Sequence, residues 1–295
     1  MAFVLATFNV LDLFDASDPE RIDRIASLLR AHMPDVVALQ EVGGEVATRA
    51  IANALGGGFT EVLGEADERG IRNAVLTRLP IVSQNVLRAE HLPFPRFHRE
   101  DPEPFGARIP LRRAIPEVVV DGGDIGKVRV MVVHFKSRRG TPMRDEAGVQ
   151  IPGATTVELA AAEARAVAWR CAEALFVRGV IDERLAKDAQ DRLVVCGDFN
   201  DVSGSLPLRI VMGTAGTDAP RADALVSVAE LIPIAERISV LHGGEPAAID
   251  HALVSPALAA RLERCFYDRT DLIDLAKATN AAYASDHAPL VVRFA

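Results

Sequence analysis

Along this chain, apolar runs of strand length end repeatedly in an acid, an amide or an imidazole. Leu193-Val194-Val195-Cys196 leads straight into Gly197-Asp198-Phe199-Asn200-Asp201, a buried-strand pattern running into a glycine turn that carries two acids and an amide. Four other apolar runs finish alike, in Asn9, Glu41, His134 and Asp286-His287. Charged groups are rarely buried without a partner, so a core strand ends in them when its last residues face a cleft. One polar terminus is an ordinary turn; five predict a site.

The same pattern predicts the elements between these ends. A first strand reaches Asn9. Asp18-Pro19-Glu20 then opens a helix with Ile22, Ile25, Leu28 and Leu29 at helical spacing, stopped by Pro34. Asp35 to Glu41 is a second buried strand. A short helix over 45–55 breaks at Gly56-Gly57-Gly58. Strands follow over 59–63, 74–78 and 81–87, and the short gaps between them predict antiparallel pairing. Residues 91–113 lose periodicity and fill with proline and arginine. A hairpin over 114–120 and 127–134 ends in His134. A long alanine-rich helix over 156–177 and a shorter one from Asp182 precede the Asp198 strand. Further strands are predicted over 238–241, 248–254, 264–268 and 290–294; residues 213–236 show no clear pattern. Strands interleaved with helices, without repeat or linker, predict one domain over 1–295 with two packed sheets.

Composition narrows the class. With 295 residues, 49% hydrophobic and 25% charged, the chain reads as an ordinary globular protein able to bury a full core. Met1 to Phe8 has no basic leader and reads as a strand, not as a signal peptide or membrane span. The cysteines, Cys171, Cys196 and Cys265, are isolated, which predicts neither a disulfide framework nor a zinc site and fits the cytoplasm. A net charge of -8 argues against a wholly basic surface for duplex binding, though not against a local basic rim.

Asn9, Glu41, His134, Asp198, Asn200, Asp250, Asp286 and His287 together form an oxygen-rich donor set with few histidines and no cysteine. Such a set favours a hard cation, Mg²⁺ or Mn²⁺, over Zn²⁺. A hard cation among carboxylates handles phosphate: it neutralises charge while a carboxylate or imidazole orients water. Lys136, Arg138 and Arg139, directly after His134, and Arg113, at a strand start, are candidate contacts to substrate phosphates, against the usual reading of a solvated charge run. His251, one residue after Asp250, points to the opposite face and is read as structural. His32, His91, His98 and His242 are read as solvated, and Asp201 as a turn cap.

Six ordered motifs, Phe8-Asn9-Val10, Leu39-Gln40-Glu41-Val42, Val133-His134-Phe135-Lys136-Ser137, Gly197-Asp198-Phe199-Asn200-Asp201, Ile249-Asp250-His251 and Ser285-Asp286-His287, resemble the endonuclease/exonuclease/phosphatase superfamily from first strand to last. The resemblance implies an α/β four-layer sandwich, with two mixed, mainly antiparallel sheets face to face and helices on both outer sides. It implies Glu41 as principal metal ligand with Asn9 and Asp286 beside it, and Asp198 as the group that positions or deprotonates water. Asn200 would hold that water or a phosphate oxygen; His287, oriented by Asp250, and His134 would contact the scissile phosphate. Residues 239–258 and 8–15 look like bacterial nuclease-like members, which points to nucleic acid as substrate. Few Trp or Tyr are available for base stacking, and no tyrosine lies between the Glu41 and His134 motifs, which argues against abasic-site specificity. The alternatives are a hydrolase of a small or lipid phosphoester and a catalytically silent binding module; no protein partner is inferable.

Overall fold

The computed structural model describes residues 2–15, 17–216, 219, 221–277 and 283–295. In chain order the elements are β1 (Phe3–Leu13), α1 (Pro19–Arg30), β2 (Val36–Val42), α2 (Glu45–Ala54), β3 (Thr60–Leu63), β4 (Arg72–Thr77), β5 (Ile81–Leu87), β6 (Ile115–Asp121) and β7 (Lys127–His134). A short hairpin, β8 (Met143–Arg144) and β9 (Gln150–Ile151), leads to α3 (Thr156–Lys187). The remainder holds β10 (Arg192–Asp198), α4 (Leu206–Met212), β11 (Val226–Ser227), β12 (Val240–His242), β13 (Glu245–Ala247), β14 (Asp250–Val254), α5 (Pro256–Ala259), β15 (Leu262–Tyr267) and β16 (Leu290–Phe294).

Period-2 alternation divides the strands between two faces and so builds the layers. On β1 and β2, Leu5, Val36 and Ala38 face inward. They meet Val130 and Val132 of β7 and Val194 and Cys196 of β10, which form the seam between the sheets. The alternate residues Ala6, Phe8, Val37 and Leu39 pack outward on Ile25 and Leu29 of α1 and Ile51 of α2. Leu193 and Val195 face the other way, onto Val177, Ile181 and Leu185 of α3 and Leu208 of α4. Three apolar seams separate four layers, helices outside and sheets inside, as the resemblance implied. Truncating any of these leucines to alanine should cost about 2–5 kcal/mol.

The first sheet has the order β15-β16-β1-β2-β4-β3 and the second β11-β14-β10-β7-β6-β5. Each contains one parallel pair, β1 with β2 and β7 with β10, flanked by antiparallel neighbours. A parallel pair places two carboxyl ends side by side, and an antiparallel neighbour begins at that same edge. Asp198 therefore pairs with His134 on one side and Asp250 on the other. In the first sheet Asn9 pairs with Gln40, next to Glu41, and the segment leading into β16 brings Asp286 and His287 to the same edge. The polar termini spread along the sequence thus converge through sheet topology.

Some expectations change. The two helices predicted after residue 156 are one, 32 residues long, opened by a capping box of Thr155 and Glu158. Gly179 sits inside it in open space. Its cost of about 1 kcal/mol is outweighed by the buried Val177, Ile181 and Leu185 on either side. The strand predicted over 248–254 starts only at Asp250, because Ser239 Oγ takes the amides of both Ile249 and Asp250 and turns the chain there. His32 is not a solvated loop residue: Nε2 lies 2.7 Å from Asp268 Oδ2, and the ring stands edge-on to Phe266. His91, His98 and His242 are exposed, as expected. No helix among the described residues is long and apolar enough to cross a membrane.

Candidate functional site

The backbone is bent where the motifs end. Leu11, Asp12, Glu41 and Asn200 all have positive φ, four of the six non-glycine residues that do so among the described residues. Each such conformation costs about 1–3 kcal/mol and persists only when the surroundings impose it. Gly197, with φ 137°, meets a related constraint: an added Cβ would lie 2.0 Å from Val133 O. Only glycine lets β10 approach β7 closely enough to set Asp198 beside His134.

At this edge Asn9 links the sheets. Its Nδ2 donates to Asp198 Oδ2 at 3.0 Å and faces Glu41 Oε1 at 3.3 Å, while its Oδ1 accepts Leu11 N–H at 3.0 Å. A ligand role for Asn9 would draw on that Oδ1. Glu41 Oε2 accepts Asp12 N–H at 2.9 Å. Asp198 Oδ1 accepts Asn200 N–H at 2.7 Å, and Asn200 Nδ2 donates to Phe135 O at 3.1 Å. His134 Nε2 stands 3.5 Å from Asp198 Oδ2 and 3.7 Å from Glu41 Oε1. His287 Nδ1 is bonded to Asp250 Oδ2 at 2.8 Å, with Nε2 3.9 Å from Asp286 Oδ1. Tyr267 Oη donates to Asp250 O at 2.7 Å, and Ser285 Oγ donates to Asn9 O while accepting His287 N–H. Tyr267, Ser239 and Ser285 brace the site; Ser285 opens the Ser285-Asp286-His287 motif, whereas nothing local in the sequence marks Tyr267 and Ser239.

These contacts set the charges. Burial, then the neighbouring Asp250 carboxylate, push the Asp198 carboxyl up to about 7. Burial and contact with Asp12 raise Glu41. Burial alone would lower His287, but Asp250 more than offsets it and holds the imidazole up to about 10, so His287 is an imidazolium at neutral pH. His134 is held well below its ordinary value by burial and by Arg113, His287 and Arg69, and is a neutral donor or acceptor. The two imidazoles thus differ in charge, which the sequence left open.

Asp198, Asp250 and His287 have donor atoms within 4.8 Å of one another. His287, however, spends Nδ1 on Asp250 and is protonated, which makes this trio a charge pair beside a carboxylate and a poor ligand set. The residues on the Glu41 side fit a hard cation better. Asp286 Oδ1 is buried without a hydrogen-bond partner, and Glu41 is raised by burial next to other acids. Arg21, whose guanidinium reaches toward this side, is occupied by the carbonyls of Val10, Leu11 and Ala284. Carboxylate oxygens, one of them buried without a hydrogen bond, match the donor chemistry of Mg²⁺ or Mn²⁺.

Two of the four candidate phosphate contacts turn inward. Arg113 donates to Asp67 and to the carbonyls of His134 and Phe135. Lys136 Nζ donates to Ser137 O and Oγ and to Arg139 O; burial, then Arg112 and Arg170, lower it to about 8. Arg138 and Arg139 are exposed. Behind them α3 supplies two braces that sequence reading missed. Glu173 accepts Lys136 N–H at 2.7 Å, and Arg170 joins Asp201 to the carbonyls of Lys136 and Ser137. Burial pushes Glu173 up to about 7. An acid and an arginine three residues apart on a mostly apolar helix face were the available signal. Arg96, Arg108, Arg112 and Arg144 are engaged with Glu103, Phe105 O, the Trp169 ring and Gly148 O. His251 is buried against Phe199, with Nε2 2.9 Å from Asp201 O, in the structural place expected of it.

The comparisons with known proteins agree with this layout. Truncated TDP2 of Caenorhabditis elegans superimposes with a TM-score of 0.66 at 15% identity, covering 99% of this chain and 97% of that one. The human Nocturnin catalytic domain with bound sulfate gives 0.62 at 16%, covering 100% and 94%. The Neisseria 3′ phosphatase NExo bound to a product DNA hairpin gives 0.60 at 18%, covering 99% of both. At these identities the likeness is one of fold. No curated protein matches the chain. The profile of the Endonuclease/Exonuclease/phosphatase family matches residues 6–287, nearly the whole chain, and the protein belongs to that family.

Proposed function

We propose that this protein is a divalent-metal-dependent phosphodiester hydrolase that cleaves nucleic acid, and that residues 1–295 act as one catalytic domain. The observation that carries the reading is Asp198: a buried carboxylate tied to Glu41 through Asn9, next to one neutral and one charged imidazole. Glu41 and Asp286, with Asn9 beside them, would hold Mg²⁺ or Mn²⁺, which neutralises a non-bridging phosphate oxygen when bound. Asp198, held by Asn9 Nδ2 and Asn200 N–H, takes the proton of the attacking water as its oxygen bonds to phosphorus and the P–O bond to the leaving oxygen breaks, that oxygen taking a proton from solvent. His287, fixed by Asp250, stabilises the charge that builds on the phosphate, and His134 Nε2 donates to a second oxygen. Asn200 keeps Asp198 in one rotamer through its backbone and ties the turn to Phe135 through its side chain. Arg138 and Arg139 flank this edge as exposed cations suited to neighbouring phosphates.

The DNA hairpin held by NExo, on the same fold, supports nucleic acid as substrate. The three unpaired cysteines are consistent with a cytoplasmic setting. The test is hydrolysis of a panel: single-stranded and duplex DNA, RNA, inositol phosphates and sphingomyelin, each with Mg²⁺, Mn²⁺ or excess chelator. Metal-dependent cleavage of a polynucleotide is expected. Turnover of an inositol phosphate or sphingomyelin alone would move the substrate to the small or lipid class, and full activity in chelator would remove the metal from the reading.

A further inference from the structure

The loop between β3 and β4 belongs to the first sheet but is fastened to the second. Asp67 in this loop pairs with Arg113 at 3.0 Å, both side chains less than a tenth exposed, and Arg113 passes on to His134 O at 3.0 Å. Directly after the loop, Asn73 of β4 adds a second tie, its Nδ2 donating to Ala114 O at 3.3 Å. Within the loop, Asp67 Oδ1 accepts Arg69 N–H at 2.9 Å, and Asp67 O accepts Gly70 N–H at 2.9 Å. A loop so bound presents the side chain two positions on from Asp67 in a set place.

That side chain is Arg69. It is half exposed, 54% at the side chain, and a single nitrogen, Nη2, engages both carboxylate oxygens of Asp12. Asp12 in turn gives its N–H to Glu41. The Arg69 guanidinium therefore stands one carboxylate outward from Glu41, and its charge is felt at His134 across the cleft. Nε and Nη1 have no protein partner among the described residues. Guanidinium offers five N–H donors in a planar fork suited to phosphate, so Asp12 leaves capacity for a further oxyanion. The contrast with Arg113 and Lys136, both spent on the protein, sharpens the assignment: at this mouth Arg69 is a cation with free donors.

We propose that Arg69 binds a second phosphate of the substrate, one group outward from the scissile one, on the Glu41 side of the cleft. The inference rests on the phosphodiesterase reading and narrows it to substrates carrying more than one phosphate, such as an oligonucleotide.

The test compares two substrates. Bis(para-nitrophenyl) phosphate has only the scissile phosphate, whereas a thymidine trinucleotide carries a second. Arg69→Ala should lower kcat/KM for the trinucleotide by about 10- to 100-fold, chiefly through KM, and leave the bis-ester within about threefold of wild type. Arg69→Lys should fall between, since it keeps the charge and loses the fork. Arg293→Ala, which removes an exposed arginine paired with Glu263 and registered with Val4 at the opposite end of β1 from Asn9, is the control that should change neither. Equal losses on both substrates would make Arg69 a support for Asp12 and overturn the proposal, as would no loss on either. Independently of turnover, anisotropy of a fluorescein-labelled trinucleotide across a salt series should show a slope shallower by about 0.7 in Arg69→Ala, the value of one single-strand phosphate contact. If the wild type hydrolyses neither substrate, the phosphodiesterase reading fails on its own. Arg69 is then judged by binding, where an unchanged slope or no trinucleotide binding at low salt overturns it.

Discussion

The two sheets bring unlike halves to the cleft. On the first-sheet side the Glu41 and Asp286 side chains keep 13% and 11% of their surface open, whereas Asp198 and Asp250 on the second keep 3% and 1%. The backing differs as well. Behind the first sheet, α1 and α2 bury apolar residues and Thr48, and only Arg21 reaches the site backbone. Behind the second, α3 buries Arg170 and Glu173 against the loop that follows His134 and the turn that carries Asn200. The groups that would move protons are dry and braced by buried charges, which fixes their geometry and spreads their proton affinities. The groups that would hold a cation stay partly open, so that ligands can exchange there.

The dry side should respond through turnover. Asp198→Asn is expected to lower turnover by about 10³- to 10⁴-fold with KM little changed, because water activation acts in the transition state. Steady-state kinetics with circular dichroism would check it; activity within tenfold of wild type would end the assignment of Asp198 as base. Asp250→Asn and His287→Ala should each cost about 10²- to 10³-fold, and the double variant little more than the worse single, since the pair works as a unit. Additive losses would mean that Asp250 acts elsewhere.

On the open side, Glu41→Gln should abolish metal-dependent turnover yet leave Tm without metal close to wild type, and should remove the rise in Tm that Mg²⁺ or Mn²⁺ produces. A retained rise would place the cation on other residues. The braces should respond to pH instead. Glu173 is protonated to about 7 in the fold against about 4.5 in the unfolded chain, so its contribution is present below pH 4.5 and is lost as pH rises through 7. Glu173→Gln should therefore gain on wild type by about 3 kcal/mol between pH 4.5 and 8 in denaturant unfolding; parallel curves would mean that Glu173 is ionised throughout. The smallest effect belongs to the exposed cations: Arg138→Ala with Arg139→Ala should raise KM for an oligonucleotide a fewfold and flatten its salt dependence, with kcat unchanged.

Much of this protein was legible in the chain because its signals are local. The unbroken apolar run of Leu193 to Cys196, as a strand buried on both faces requires, and helical spacing in Ile22 to Leu29 follow from backbone geometry, and polar residues closing apolar strands announce an edge before any partner is known. Tertiary structure decided where charge goes. Arg113 and Arg138 look alike in sequence, yet Arg113 is drawn into an ion pair with Asp67, 46 positions away, while Arg138 stays in water. His134 and His287 both end apolar segments or precede them, yet burial beside Arg113 keeps one neutral and Asp250 charges the other. The bracing role of Glu173 likewise depends on a contact 37 positions distant. Local pattern determines which element forms and which end is polar. The protonation and direction of a charged side chain depend on the solvation and fields of residues far along the chain, which exist only once the four layers have packed.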